Sequence, residues 1–161
     1  MKARVARGRS FAWAKGFDTA TNKPVVSFAM LLRGSNVNQG NFVENLTIDT
    51  GKSNPGAAAL LWSGSNYGGI RNVTLRSGDG NGAVGLDLTV NNVCGYVRDL
   101  EIAGFRTGFV MAAGRESVLT MEDSSVRSCK LGFRLGGNDS GAGADLLTLL
   151  DVDFENVAPK C

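Results

Sequence analysis

Histidine is missing altogether from the 161 residues, proline occurs three times and cysteine three times. Each scarcity removes a class of chemistry. Without histidine there is no imidazole base for a serine or cysteine nucleophile, and no Cys/His zinc site can be completed. Cys94, Cys129 and Cys161 are odd in number, widely spaced and form no C-x-x-C pair. They read as small buried hydrophobes plus one thiol near the end, with a disulfide between two of them as the alternative. Long apolar runs are also lacking. The longest, around Val25–Leu32 and Ala57–Trp62, fall far short of the ~20 residues that span a bilayer, so a soluble protein is expected. Phosphate-binding, dinucleotide, nucleophile-elbow and EF-hand signatures are absent.

Charge of one sign is scarce in one place only. Residues 1–17 hold Lys2, Arg4, Arg7, Arg9 and Lys15 and no acid, which leaves 12 basic against 15 acidic residues over positions 18–161, a net −3. The body offers no basic stripe, and nucleic acid is not an expected partner. Residues 1–24 read as a basic leader or cap: a targeting peptide, a disordered start, or a short helix covering the start of the body.

Glycine is what the chain has in excess, 22 residues in all, about double ordinary usage. The glycines punctuate a repeat. An apolar residue, two others, an apolar residue, one other and an apolar residue recur as Val43-Glu-Asn-Leu46-Thr-Ile48, Ile70-Arg-Asn-Val73-Thr-Leu75 and Val97-Arg-Asp-Leu100-Glu-Ile102. The phrase returns as Met121-Glu-Asp-Ser124-Ser-Val126 and Leu149-Leu-Asp-Val152-Asp-Phe154, with steps of 27, 27, 24 and 28 residues. Just before the second apolar position stands Asn45, Asn72, Asp99, Asp123 or Asp151. Between the copies lies a second phrase: Leu60-Leu-Trp62, Gly85-Leu86-Asp-Leu88, Gly108-Phe109-Val-Met111 and Gly132-Phe133-Arg-Leu135. Alternation of period two marks strands with one buried face, and no helical period is sustained.

Strands this short cannot bury a face alone; stacked copies can, each paired with its equivalent one coil away at about 4.8 Å. The repeat therefore predicts an all-β fold, a single-stranded parallel β-helix of about five coils over residues 25–161, incomplete at both ends. Right-handedness follows from the rule for parallel crossovers. Val73 should lie on Leu100, and Leu75 on Ile102, Val126 and Phe154. The Asn/Asp column should sit at a bend, where short polar side chains tolerate unusual dihedrals. That role also explains Asn45-Leu-Thr and Asn72-Val-Thr, which match the glycosylation acceptor pattern. Trp62 should be core.

The stretch Asn45-Leu-Thr-Ile-Asp-Thr-Gly51, with Ser53-Asn-Pro-Gly56, Ile70-Arg-Asn-Val-Thr-Leu-Arg-Ser-Gly-Asp-Gly80 and Val84-Gly-Leu-Asp-Leu88, resembles the pectate-lyase-like superfamily of carbohydrate-active β-helices. The resemblance covers roughly residues 25–157 and reads as a central section. It implies a polysaccharide or glycan partner, an extracellular or cell-envelope address, and lyase or hydrolase chemistry if the chain is active. Calcium is implied only for a lyase; otherwise no cofactor is expected.

On such a ladder the outward rows are Thr47, Thr74, Glu101, Ser125 and Asp153, and Asp49, Arg76, Ala103, Arg127 and Glu155. Hydrolysis needs two carboxylates about 5–9.5 Å apart, and Asp49 and Glu101 lie two coils, about 9.6 Å, apart. A lyase would use Arg76 as base with Asp49, Asp79 and Glu101 nearby. Asp87, Arg127, Arg134, Asp153 and Glu155 are candidates for binding substrate. Ser77-Gly-Asp-Gly80 is similar to one acidic element of polygalacturonase-type hydrolases, but the paired Asp, the Asn-Thr-Asp element, the Arg-x-Lys element and the His are missing, which removes that mechanism. The simpler readings are opposite charges across strands (Asp49 with Arg76, Arg127 with Glu155) and a turn at Asp79-Gly-Asn-Gly82. Trp13, Tyr67 and Tyr96 are candidate stacking faces for sugar rings. A non-catalytic glycan-binding or tail-spike-like surface module, and self-association through open coil ends, are the alternatives to an enzyme.

Overall fold

A computed structural model describes residues 2–7, 10–15, 23–28, 39–64, 66–89, 93–111, 117–136 and 146–157. For its first three strands it gives the backbone path and the Val25 side chain. The strands are β1 (Lys2–Arg7), β2 (Ser10–Lys15), β3 (Lys23–Phe28), β4 (Phe42–Asp49), β5 (Ala57–Trp62) and β6 (Gly68–Arg76). They continue with β7 (Gly82–Leu88), β8 (Cys94–Ala103), β9 (Phe105–Met111), β10 (Val118–Arg127), β11 (Leu131–Leu135) and β12 (Leu146–Glu155). Among the described residues there is no helix.

The strands alternate between two sheets. Strands β4, β6, β8, β10 and β12 stack in parallel as one wall, and β3, β5, β7, β9 and β11 as the other. Because each strand pairs with its equivalent in the next repeat, the molecule is a β-solenoid of about four turns. The repeat anticipates about five coils; five copies of a phrase enclose only four steps, which accounts for the difference.

The first sheet is longer by two strands. Its β4 edge is extended antiparallel by β1, which is paired in turn with β2. The basic segment, for which the sequence admits a short covering helix, thus contains a hairpin that continues the sheet past β4, with β2 as its edge strand. Continuing a backbone ladder satisfies main-chain groups that a helix laid across the end would leave unpaired.

The phrase spacing of three and then two has a physical cause. Strict alternation would turn the second apolar residue outward, so the chain must break step between them. It does so by placing Asn45, Asn72, Asp99, Asp123 and Asp151 in the left-handed region, with φ of 55°, 49°, 52°, 46° and 49°. Asn and Asp enter this region more readily than other residues with a Cβ. The side chains before and at the bend, such as Arg71 and Asn72, both face solvent, and Val73 returns to the core.

The interior files match the repeat. Leu46, Val73 and Leu100 are in register, as are Ile48, Leu75, Ile102, Val126 and Phe154. Most are fully buried; Leu46 and Val152 are partly buried against the same core. The one polar member is Ser124, whose Oγ accepts the Leu100 N–H at 3.1 Å and donates to the Glu122 carbonyl at 2.7 Å. A buried hydroxyl with both bonds made costs the core little. In the opposite wall Leu60, Leu86, Phe109 and Phe133 form the facing file, with Phe109 and Phe133 stacked at 5.2 Å. Cys129 is buried in the core, as the sequence suggests, and Cys94 is partly exposed. Cys161 lies outside the described residues.

Bends in adjacent coils also touch: Asn72 Nδ2 donates to Asn45 Oδ1 at 2.8 Å. Replacing Asn72 by valine should lose this bond and force a β-branched residue to positive φ, at a cost of about 1–3 kcal/mol. Glycine at the same position keeps the dihedral and should cost less. Urea unfolding midpoints of the two variants measure the difference.

Candidate functional site

The outer face of the first sheet carries a shallow concavity of about 410 Å³, along the line of bends. It is lined by the bend residues Asn72, Asp99, Asp123 and Asp151, and by the outward row Thr74, Glu101, Ser125 and Asp153. The two rows run side by side because the left-handed residue and the residue two places later both point away from the core. Equivalent side chains therefore recur once per coil, about 4.8 Å apart.

Five carboxylates meet here, and two are neutralised locally. Arg98 reaches Asp123 through Nη2 at 3.0 Å and Nε at 3.1 Å, and stands 3.8 Å from Asp99. Arg127 pairs with Glu101 at 3.3 Å and donates to Ser125 Oγ. Asp151 and Asp153 are exposed and take no side-chain hydrogen bond or ion pair from the described residues. The floor is thus acidic, rich in hydroxyl and amide groups, and free of aromatic rings.

The other residues singled out by the sequence are spread over several surfaces. Arg76 Nε donates to Asp49 Oδ2 at 2.9 Å, and Asp49 Oδ1 also accepts the Gly51 N–H at 2.8 Å. This is the cross-strand pair that the simpler reading of the sequence expects. Glu101 is in register with Thr74, not with Arg76, so it lies two coils and two residues from Asp49, about 12 Å between Cα atoms. The straight two-coil separation of 9.6 Å does not hold, because the two acids belong to different rows and each engages a different arginine. Arg127 is opposite Glu155 in the ladder, yet its guanidinium pairs with Glu101 one coil the other way. Glu155 is exposed on β12.

Asp79 is a turn residue. Its carboxylate accepts the Ser53 N–H from the preceding coil at 2.6 Å, the Asn81 N–H at 3.1 Å and the Ser77 hydroxyl at 3.3 Å. These donors, led by Ser53, hold its pKa below the ordinary carboxylate value. A depressed folded-state pKa means that the bridge is fully present above the unfolded-state pKa and is lost as pH falls through the folded one. Asp79→Asn should therefore be less stable than wild type near pH 6, with the gap closing as pH falls below the ordinary carboxylate range and wild-type Asp79 is protonated. Chemical denaturation at stepped pH measures this.

Asp87 and Arg134 lie on the other wall, on the outer face of β7 and β11 with Val110 between them in register. Asp87 accepts bonds from the Thr89 N–H and hydroxyl. They share no surface with the acidic concavity. Of the aromatic candidates, Tyr67 is strongly exposed and Tyr96 partly so, while the Trp13 side chain is not among those described. Neither tyrosine lines the concavity.

Of the candidates only Glu101 and Asp153 lie in this groove, while Asp99, Asp123 and Asp151 present themselves in the sequence as bend formers alone. A signal for them is present: the bend column changes from Asn45 and Asn72 to three consecutive aspartates, a change the bend itself does not require. Among the described residues no group of three or more carboxylates and thiols is disposed to hold a metal ion, and no helix is long and apolar enough to cross a membrane. No family model, no curated protein and no solved structure matches the chain.

Proposed function

We propose that this chain is a non-catalytic, glycan-binding β-helix module, related to polysaccharide lyases and hydrolases by its repeat but without a complete cleaving site. One observation carries the reading: hydrogen-bonding side chains recur along the groove once per coil, a spacing comparable to the length of one pyranose unit. A polymer of sugars is a repeating ligand, and a ladder of acceptors along one line fits it. Carboxylates and hydroxyls accept hydrogen bonds from sugar hydroxyls, and the charged acceptors give the stronger ones.

The sign of the groove narrows the ligand. Asp151 and Asp153 would repel a uronate polymer, whereas they suit an uncharged, hydroxyl-rich glycan. The charged candidates for catalysis support the non-catalytic reading, since Asp49 is engaged by Arg76 and Glu101 by Arg127. The pectate-lyase-like repeat supports a polysaccharide partner and an extracellular or envelope address.

Titration calorimetry with soluble neutral glucans and mannans, and with polygalacturonate and alginate, tests this. Binding to a neutral polymer is expected, weakened about tenfold or more in Asp151→Asn/Asp153→Asn, with no new reducing ends or unsaturated products. Absence of binding to every neutral polymer overturns the reading, and turnover of a uronate polymer would replace it with a lyase.

A further inference from the structure

Each sheet of a solenoid ends in two strands that have a neighbour on one side only. In the first sheet these are β2 at one end and β12 at the other. Such an edge presents a row of main-chain donors and acceptors that template another strand. The two edges differ in charge. The edge strand β2 contains Lys15 and no acid, and β1, one strand further in, contains Lys2, Arg4 and Arg7 and no acid. Strand β12 contains Asp151, Asp153 and Glu155, all exposed, and no Lys or Arg.

Strand β12 also leaves apolar surface bare. Phe154, whose counterparts Ile102 and Val126 are fully buried, is 38% exposed because nothing among the described residues lies beyond it. Leu146 and Leu150 are 56% and 48% exposed on the same strand, and Leu135 on the neighbouring edge strand β11 is 52% exposed. Sheet edges are commonly blunted by lysine, proline or a bulge, and β12 contains neither residue.

We infer that the β12 edge of one copy docks on the β2 edge of the basic β1–β2 hairpin of a second copy, continuing the first sheet from molecule to molecule. The occupant is assigned by charge. Two β12 edges brought together would oppose six carboxylates, whereas β12 against the hairpin sets acids against bases. The contact is heterologous: each copy uses its acidic end on one neighbour and its basic end on the other. Because β2 and β12 lie at opposite ends of one sheet, each added copy extends the stack, and a heterologous contact that does not rotate back on itself gives an open head-to-tail chain.

Sedimentation of the full chain over a range of concentration and salt tests this. Wild type is expected to grow in mass with concentration, with association weakened at least about tenfold between roughly 0.05 M and 0.5 M salt as the end charges are screened. Leu150→Lys/Glu155→Lys blocks the acidic end and Arg7→Glu/Lys15→Glu reverses charge at the basic end. Neither alters a residue lining the acidic groove. Each variant alone should be monomeric, and an equimolar mixture of the two, in which one intact end of each kind remains, should form a one-to-one heterodimer. Wild type that stays monomeric at every concentration overturns the inference without reference to any variant. Self-dimerisation of Arg7→Glu/Lys15→Glu with wild-type strength also overturns it, because it would show two β12 ends pairing with each other.

Discussion

Alanine at position 108 is expected to destabilise the protein by about 3 kcal/mol or more, the upper range for overpacking a core. A Cβ built on Gly108 would lie 2.3 Å from the Gly132 carbonyl oxygen of the next coil and 2.5 Å from Val126 Cγ1 of the facing wall. The first of these is backbone and cannot swing aside. Gly85 meets the same obstruction, 2.4 Å from Ile102 Cγ2 and 2.6 Å from the Gly108 oxygen. The column Gly85, Gly108 and Gly132 is thus a line along which the two walls come close, and a methyl group at Gly85 or Gly108 would have to push both walls and the next coil outward together. Gly80→Ala is the control. That turn has φ of +75° and nothing among the described residues within 4 Å of the added Cβ, so only the left-handed penalty of about 1–2 kcal/mol applies. Equilibrium unfolding of both variants gives the comparison; equal losses would show that the walls do not meet at Gly108.

The second large effect is expected at Trp62, the largest fully buried side chain. Its indole fills a notch made by three glycines: a Cβ on Gly64 would lie 2.6 Å from Cζ2, one on Gly68 2.8 Å from Cζ2, and one on Gly95 2.7 Å from Cη2. Trp62→Ala should cost about 3–5 kcal/mol, since the backbone around the notch belongs to three coils held by the ladders and cannot collapse into the void. Trp62→Phe should cost much less. It leaves a smaller gap and removes an indole Nε1 that is buried with no hydrogen-bond partner among the described residues, an arrangement that itself carries a penalty. Thermal or urea unfolding separates the two substitutions. If phenylalanine costs as much as alanine, the indole contributes through its N–H and not through its volume.

How much of the fold is legible in the sequence depends on whether the cause is periodic. The apolar files are, because stacking forces the same residue type to recur at each turn: Leu75, Ile102, Val126 and Phe154 can be aligned by eye and do lie in register. The bend column is legible for the same reason, and all five Asn/Asp positions have positive φ. Alternation alone places Trp62 inward. The glycine column is visible as spelling but not as sterics, since nothing in the sequence says which residue of the opposite wall stands against Gly108.

The groove is the hardest part to read. Spacing assigns each residue to its row, yet pairing on a ladder has two choices for every charge, one coil up or one coil down. Arg127 sits opposite Glu155 and chooses Glu101. Such choices turn on side-chain reach and the offset between rows, which spacing does not encode. The hairpin is illegible for another reason: β1 and β2 owe their strand conformation to the edge offered by β4, a partner distant in sequence.

Backbone nuclear Overhauser contacts in isotopically labelled protein test the stacked solenoid most directly. The expected set links amide and α protons of Val73 with those of Leu100, Ile102 with Val126, and Val126 with Phe154, pairs separated by one whole repeat, in the staggered pattern of parallel strands. Contacts that instead join β4 to β5 or β6 to β7 as antiparallel hairpins would mean that sequential strands pair with each other, and the solenoid, its acidic groove and its charged ends would all be wrong.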